Sequence, residues 1–371
     1  MADDDPRSLK GKAKGQKPDV QPDVYPDLEI TDQAPPPHLD EGWHALERGD
    51  LTTARTLAAR ALAESPKAPD ALLLEAACLR EGGDSEQAVA VLRRVCKADP
   101  DWCTPELWLA ELLAMQPETT AEALGHAAHA LDLADEEDEY LNALALKAGL
   151  EAELGEIDEA KQTLRDLPPP EVALGDPMLA LEIAELWLAV GEPESARDRL
   201  LTLTKAEPDM ADAWYSLGVA AETIGDDALM RKAWRRAWEL DATAGEDDAV
   251  ARLDEREVTA IAEQALAELP EKARQLLVDV PIIITDLPAR ADIESGLDPR
   301  VLGLFSGTPH SEGTHLGGQP GLTQIILFRR NLERAAANEE DLREEIRVTL
   351  LHETGHFFGL EEAELEGMGL D

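Results

Sequence analysis

The chain has 371 residues, long enough for two or three domains. Asp and Glu outnumber Lys and Arg by 78 to 34, and the net charge of −44 argues against nucleic acid and anionic membrane surfaces as partners and for solubility or basic partners. The N-terminus, Met1-Ala2-Asp3-Asp4-Asp5-Pro6, has neither the basic nor the apolar stretch of a signal peptide, and no apolar run approaches 18 residues, so a soluble, cytoplasmic protein is expected.

Residues 1–37 are rich in Pro, Asp, Lys and Gly; Pro18-Asp19-Val20 is echoed at Pro22-Asp23-Val24, and Pro35-Pro36-Pro37 closes the stretch. It lacks apolar periodicity, so an acidic, proline-rich disordered tail is expected.

From residue 38 to about 245 the chain repeats. Turns fall at Gly49-Asp50, Gly83-Asp84, Pro117-Glu118, Gly155-Glu156, Gly191-Glu192 and Gly225-Asp226, with spacings of 34, 34, 38, 36 and 34. Alanine follows the first turn residue by five positions at Ala54, Ala88, Ala160 and Ala196, and proline follows that alanine by twelve at Pro66, Pro100 and Pro208. A small alanine lets the second helix of a pair lie close against the first. The glycine or acid at the turn ends one helix and caps the next, and the proline stops the second helix. About six helix pairs are expected. The third is the most irregular, because Pro117 replaces the glycine and Glu122 takes the alanine position. This period, with Trp214-x-x-Leu217-Gly218 in the last unit, resembles the tetratricopeptide repeat. The resemblance implies a helical solenoid that presents a surface to a peptide or protein partner. Cys78, Cys96 and Cys103 fit no metal or disulfide spacing and are expected to be reduced, half-buried helix residues. His126 and His129 are expected to be surface histidines, since no acid motif accompanies them.

After Ala244-Gly245-Glu246-Asp247-Asp248 the pattern changes. All seven Trp lie between Trp43 and Trp238, and all four Phe lie at Phe305 or beyond, so a second domain with its own core is expected over 252–371. Helical spacing marks 249–268, and a shorter helix follows near 270–277. Val280–Thr285 reads as a strand, 286–320 as a long loop with a strand at 301–305, and Thr323–Arg329 as a second clear strand. His310 and His315 lie in that loop and are expected to be solvated. A last helix of about 20 residues should begin after Asn338, a good N-cap followed by Glu339, Glu340 and Asp341.

That helix carries His352-Glu353-Thr354-Gly355-His356, the pattern H-E-x-x-H. With 8 His and at most 78 Glu in 371, chance supplies fewer than roughly 0.04 such matches per chain. His352 and His356 are four apart and share one helix face. Two imidazoles so placed can hold one Zn²⁺ at about 2.0–2.1 Å each. Glu353 is rotated by about 100°, beside the metal, where its carboxylate can accept a proton from water. A catalytic zinc takes three protein ligands. Gly359 can break the helix and turn the chain back, making Glu362 the first choice for the third ligand, with Glu361 and Glu366 as substitutes. Gly355 costs about 1 kcal/mol in mid-helix relative to alanine, which makes sense if something approaches the backbone closely there.

The extended motif H-E-T-G-H-F-F-G-L-E-E, with Val301-Leu302-Gly303-Leu304-Phe305-Ser306-Gly307 and Ile325–Glu333 upstream, resembles the bacterial zincin-like metallopeptidase family over about 252–371. The resemblance implies His352, His356 and Glu362 as zinc ligands and Glu353 as general base. Glu362 stands where the family usually has Asp, and Phe305 where Tyr is common. Nine residues follow Glu362, so no separate lower subdomain is expected.

The fold expected is mainly α: a tetratricopeptide-repeat solenoid followed by a small α+β zincin-like domain. The function expected is that of a zinc metalloendopeptidase whose repeats recruit a protein substrate or partner, with the strand at 323–329 adding an extended peptide at the cleft's edge. The alternative is a non-catalytic adaptor with a structural or vestigial metal site.

Overall fold

The structure is a computed structural model that describes residues 38–172, 174–244, 251–307 and 323–367. The expectations for residues 1–37 and for His310 and His315 lie outside the described residues. The described residues fall into two compact units, divided between Pro105 and Glu106.

Six helix pairs run from the start of the described chain: α1 (Leu39–Glu47) with α2 (Leu51–Glu64), α3 (Pro69–Glu81) with α4 (Ser85–Ala98), α5 (Cys103–Ala114) with α6 (Thr120–Leu133), α7 (Glu137–Glu153) with α8 (Ile157–Leu164), α9 (Pro177–Ala189) with α10 (Pro193–Ala206), and α11 (Ala211–Thr223) with α12 (Asp227–Thr243). The turns at Gly49, Gly83, Gly155, Gly191 and Gly225 all have φ between 74° and 77°. That conformation costs other residues roughly 1–2 kcal/mol. The fourth residue of the second helix is Ala54, Ala88, Ala160 and Ala196 in four pairs, each fully buried. The third pair shows why Glu122 misled. A three-residue 3-10 turn, Pro117–Thr119, replaces the glycine turn and starts α6 one residue later. Its fourth residue is therefore Ala123, which is buried, while Glu122 faces solvent.

In the first unit, Leu39, Ala45, Ala54, Ala58, Ala61, Ala71, Leu74 and Cys78 form one core. The three cysteines form no disulfide and are buried rather than half-buried; burial pushes the Cys78 thiol up.

The second unit continues the pairs and adds α13 (Glu255–Glu268), α14 (Glu271–Leu277), β1 (Ile282–Thr285), α15 (Arg290–Ser295), β2 (Gly303–Ser306), β3 (Gln324–Phe328), α16 (Arg329–Ala335), α17 (Glu339–Phe358) and α18 (Glu362–Glu366). The sheet order is β1-β3-β2, with β1 parallel and β2 antiparallel to β3. β3 is thus the central strand, hydrogen-bonded on both sides. This corrects the expectation that residues 323–329 would add a peptide strand: among the described residues the sheet's edges are β1 and β2. Ile325, Leu350, Ala262 and Ala265 pack together, as do Leu327, Leu332, Leu342, Ile346 and Val258, so α13, α16 and α17 share a core with the sheet.

The long loop expected after 286 contains α15 as well as β2. Ile293 of α15 is buried with Ala221, Met230 and Trp234 of the last helix pair. Trp238 Nε1–H donates to the Pro288 carbonyl at 3.0 Å. The expectation of wholly separate cores is corrected here, because the Trp-rich end of the repeats and the C-terminal region share this cluster.

Candidate metal centre on the H-E-x-x-H helix

The helix that carries the motif is fixed at both ends by its own sequence. Asn338 accepts the Glu340 and Asp341 amides at 2.9 and 3.0 Å, and the three acids of the first turn face the positive end of the helix dipole. Gly359 ends α17 with φ 83°, and the Leu360 amide returns to the Gly355 carbonyl at 3.1 Å. The chain then doubles back as α18. A Cβ on Gly355 would lie 2.3 Å from Leu365 Cδ2, so the close approach predicted at this glycine is made by α18.

His352 and His356 converge. Their Nε2 atoms are 3.0 Å apart and their rings meet edge to face at 4.7 Å. His356 Nδ1 lies 3.2 Å from the Leu360 carbonyl oxygen, a bond in which Nδ1–H must donate, leaving the Nε2 lone pair for a ligand. Two nitrogens on one tetrahedral Zn²⁺ at 2.0–2.1 Å are about 3.3 Å apart, close to the spacing found here. These two residues therefore fit the metal. Glu362 opens α18, which brings its backbone to the turn after the motif, and Glu366 ends the same helix; the side chains of both lie outside the described residues. Glu361 is the N-cap of α18, sharing a capping box with Glu364, and is exposed. Its carboxylate is committed to that cap. Among the described residues no group of three His, Cys, Asp or Glu side chains comes together as a metal site.

Glu353 points to the sheet. It is 7 % exposed, and its Oε2 accepts the Phe305 backbone N–H at 2.6 Å. β2 reaches this close because of Gly303, where a Cβ would stand 2.7 Å from Thr349 Cγ2 and 2.9 Å from Glu353 Cγ. Phe305 also packs edge to face on Phe357 at 6.1 Å. Between the entry to β2 and α17 lies a pocket of about 220 Å³, lined by Val301, Leu302, Gly303, Thr349, His352 and Glu353 among others. The start of β2, the buried carboxylate of Glu353 and the imidazole of His352 thus border one opening.

Sequence reasoning missed two polar clusters. His126 and His129 are not bare surface residues: their Nδ1 atoms lie 2.5 and 3.4 Å from the two oxygens of Glu106, which is 4 % exposed. Glu106 sits on the preceding helix, so no local motif joins it to the histidines. The second cluster surrounds Asp241, which Arg300 and Arg334 both reach across long stretches of sequence.

Residues 277–370 match the profile of the zincin-like metallopeptidase family. Residues 39–101 and 181–247 match the tetratricopeptide repeat. The chain therefore carries tetratricopeptide repeats followed by a zincin-like metallopeptidase region. Solved structures similar to it are repeat proteins. PilW, a widely conserved type IV pilus biogenesis factor, is 18% identical with a TM-score of 0.46, over 56% of this chain and 94% of its own. A thermophilic repeat protein of Thermus thermophilus is 22% identical with a TM-score of 0.39, over 50% and 97%. YrrB, a repeat protein with an unusual peptide-binding site, is 16% identical with a TM-score of 0.40, over 50% and 93%. No curated protein matches the chain. Among the described residues no helix is long and apolar enough to cross a membrane.

Proposed function

We propose that residues 252–371 are a zinc-dependent peptidase module and that the repeats of residues 38–245 bring it a protein substrate. The observation that carries this is the convergence of the His352 and His356 Nε2 atoms, 3.0 Å apart, beside the buried carboxylate of Glu353. The match of residues 277–370 to zincin-like metallopeptidases supports it. His352, His356 and Glu362 would hold Zn²⁺, which when bound polarises a carbonyl and acidifies water. Leu360 fixes the His356 tautomer. Glu353 takes a proton from the attacking water and delivers it to the leaving amine. The Phe305 N–H holds one carboxylate oxygen of Glu353, which orients the other oxygen for that transfer.

The test is metal analysis together with hydrolysis of a peptide library. The wild type should carry one Zn²⁺ per chain. His352→Ala/His356→Ala should lose it, and Glu362→Ala should bind it more weakly. Glu353→Gln should keep the metal and lose about 10²–10⁴-fold in rate, the usual contribution of a general base. Unchanged metal content in the double histidine variant sinks the site. Zinc without hydrolysis by the wild type would favour an adaptor.

A further inference from the structure

The last helix pair of the repeats is tied to the entry of β2 by a group of charges centred on one buried carboxylate. Asp241 of α12 is 3 % exposed. Its carboxylate accepts Arg300 Nε at 3.2 Å and Arg334 Nη1 at 2.8 Å, and Arg334 Nη2 lies 2.7 Å from its other oxygen. Arg300 also reaches Asp212 of α11 at 2.7 Å, and its guanidinium lies 4.5 Å from the centre of the Tyr215 ring. Tyr215 donates its hydroxyl to Asp298 at 3.0 Å, and Asp298 accepts the Arg300 backbone N–H at 2.7 Å. Arg300 is therefore gripped through side chain and backbone by residues of two repeat helices and by its own turn.

Three residues beyond Arg300, β2 begins at Gly303. The segment between them is clamped a second time. Asn331 of α16 is 2 % exposed, and its Nδ2 donates to the carbonyls of Pro299 at 2.9 Å and Val301 at 2.7 Å, one on each side of Arg300. The helix that presents Asn331 also presents Arg334, so α16 binds the repeat with one side chain and the strand entry with another. Beyond the clamp, Gly303 lies on Thr349 and Glu353, and the Phe305 amide meets the Glu353 carboxylate. The buried Asp241 and the largely buried Arg300 carry a desolvation penalty that an apolar contact would avoid, and what they supply in return is a defined geometry.

We infer that Asp241, a residue of the last repeat, is a positioning residue for the candidate catalytic site: through Arg300 and Arg334 it fixes the register at which β2 crosses the H-E-x-x-H helix. The consequence for catalysis rests on the peptidase reading; the placement of β2 does not. The repeats are then part of the machinery that shapes the site, in addition to any role in capture.

The experiment is peptide-resolved hydrogen exchange on the full-length protein, comparing the wild type with Asp241→Asn, which keeps shape and removes charge. Amides of residues 303–306 should exchange at least tenfold faster in the variant, while those of α9 and α10 stay within twofold of wild type. Lys161→Met breaks the Lys161–Glu192 pair elsewhere in the repeats (2.9 Å) and should leave residues 303–306 unchanged. If Asp241→Asn fails to fold, Arg300→Lys answers the same question, because it retains the charge and loses the planar fork. Exchange at 303–306 within twofold of wild type overturns the inference, and so does an equal acceleration through α9, α10 and β2, which reports general destabilisation. In the hydrolysis assay kcat should fall more than KM changes. A wild type without hydrolysis overturns the peptidase reading alone, and the exchange result still decides the placement of β2.

Discussion

In four of the six helix pairs, one glycine turn and one buried alanine at the fourth position of the next helix set the contact between partners. In the C-terminal region the contacts that shape the site join residues far apart in sequence: Phe305 to Glu353, Asn331 to Pro299, Arg334 to Asp241. The repeats are built from a local rule used again and again, and each application is independent of the next. The site is built once, from single contacts that must all be present. The difference predicts how each region breaks. Damage to a repeat turn should be local and modest, whereas damage where the last repeat meets the C-terminal region should spread.

The largest effect is expected at Trp234. Its side chain is fully buried and packs with Met230, Ala221 and Ile293. Trp234→Ala should cost about 3–5 kcal/mol, as large-to-small core changes do. If α12 and α15 are coupled as the shared cluster indicates, denaturant melts should show the loss in both the repeat signal and the C-terminal signal. Destabilisation confined to the repeats would break the comparison.

Next comes Gly218. A Cβ there would stand 2.0 Å from Trp234 Cδ1, against a ring with no room to move. Gly218→Ala should cost about 1–3 kcal/mol from overpacking, despite the better helix propensity of alanine. Gly125 offers the contrast, since a Cβ there meets nothing and the residue lies inside α6. Gly125→Ala should stabilise by up to about 1 kcal/mol. A stabilised Gly218→Ala protein, seen in the same melts, would show that α11 and α12 can separate without loss.

The turn glycines should have smaller, uniform effects. Gly83 has φ 77° and open space where a Cβ would go, so Gly83→Ala should cost about 1–2 kcal/mol from backbone strain alone. The same substitution at Gly155 or Gly191 should cost a similar amount. Unequal costs, measured by urea midpoints, would show that the repeats do not behave as repeated local units.

The smallest effect concerns alkaline pH. Burial first, and then the charge of Asp298, push the Tyr215 hydroxyl well above its usual range. The folded state therefore favours protonated Tyr215 more than the unfolded state does. This contribution is fully present below the unfolded pKa of about 10 and is lost as pH rises past it. Stability should fall above about pH 10 more steeply in the wild type than in Tyr215→Phe. Identical slopes would mean that the Tyr215–Asp298 bond does not couple to folding.

The comparison also shows what could be read in advance. The repeat period, the glycine turns, the buried alanines, the N-cap at Asn338 and the helix end at Gly359 were legible because each depends on neighbours a few residues away, where chain geometry alone sets who meets whom. The convergence of His352 and His356 was legible for the same reason, since four residues make about one helical turn. The third pair was misread by one residue because a proline turn shifts the helix start. What only the tertiary structure decided was which strand lies at the edge, that Glu106 backs His126 and His129, that Glu361 caps α18, and that Asp241 meets Arg300 and Arg334. Apart from the local Glu361–Glu364 cap, those outcomes join segments separated by tens of residues, and no period or spacing in a single sequence records which distant partners the folded chain brings together.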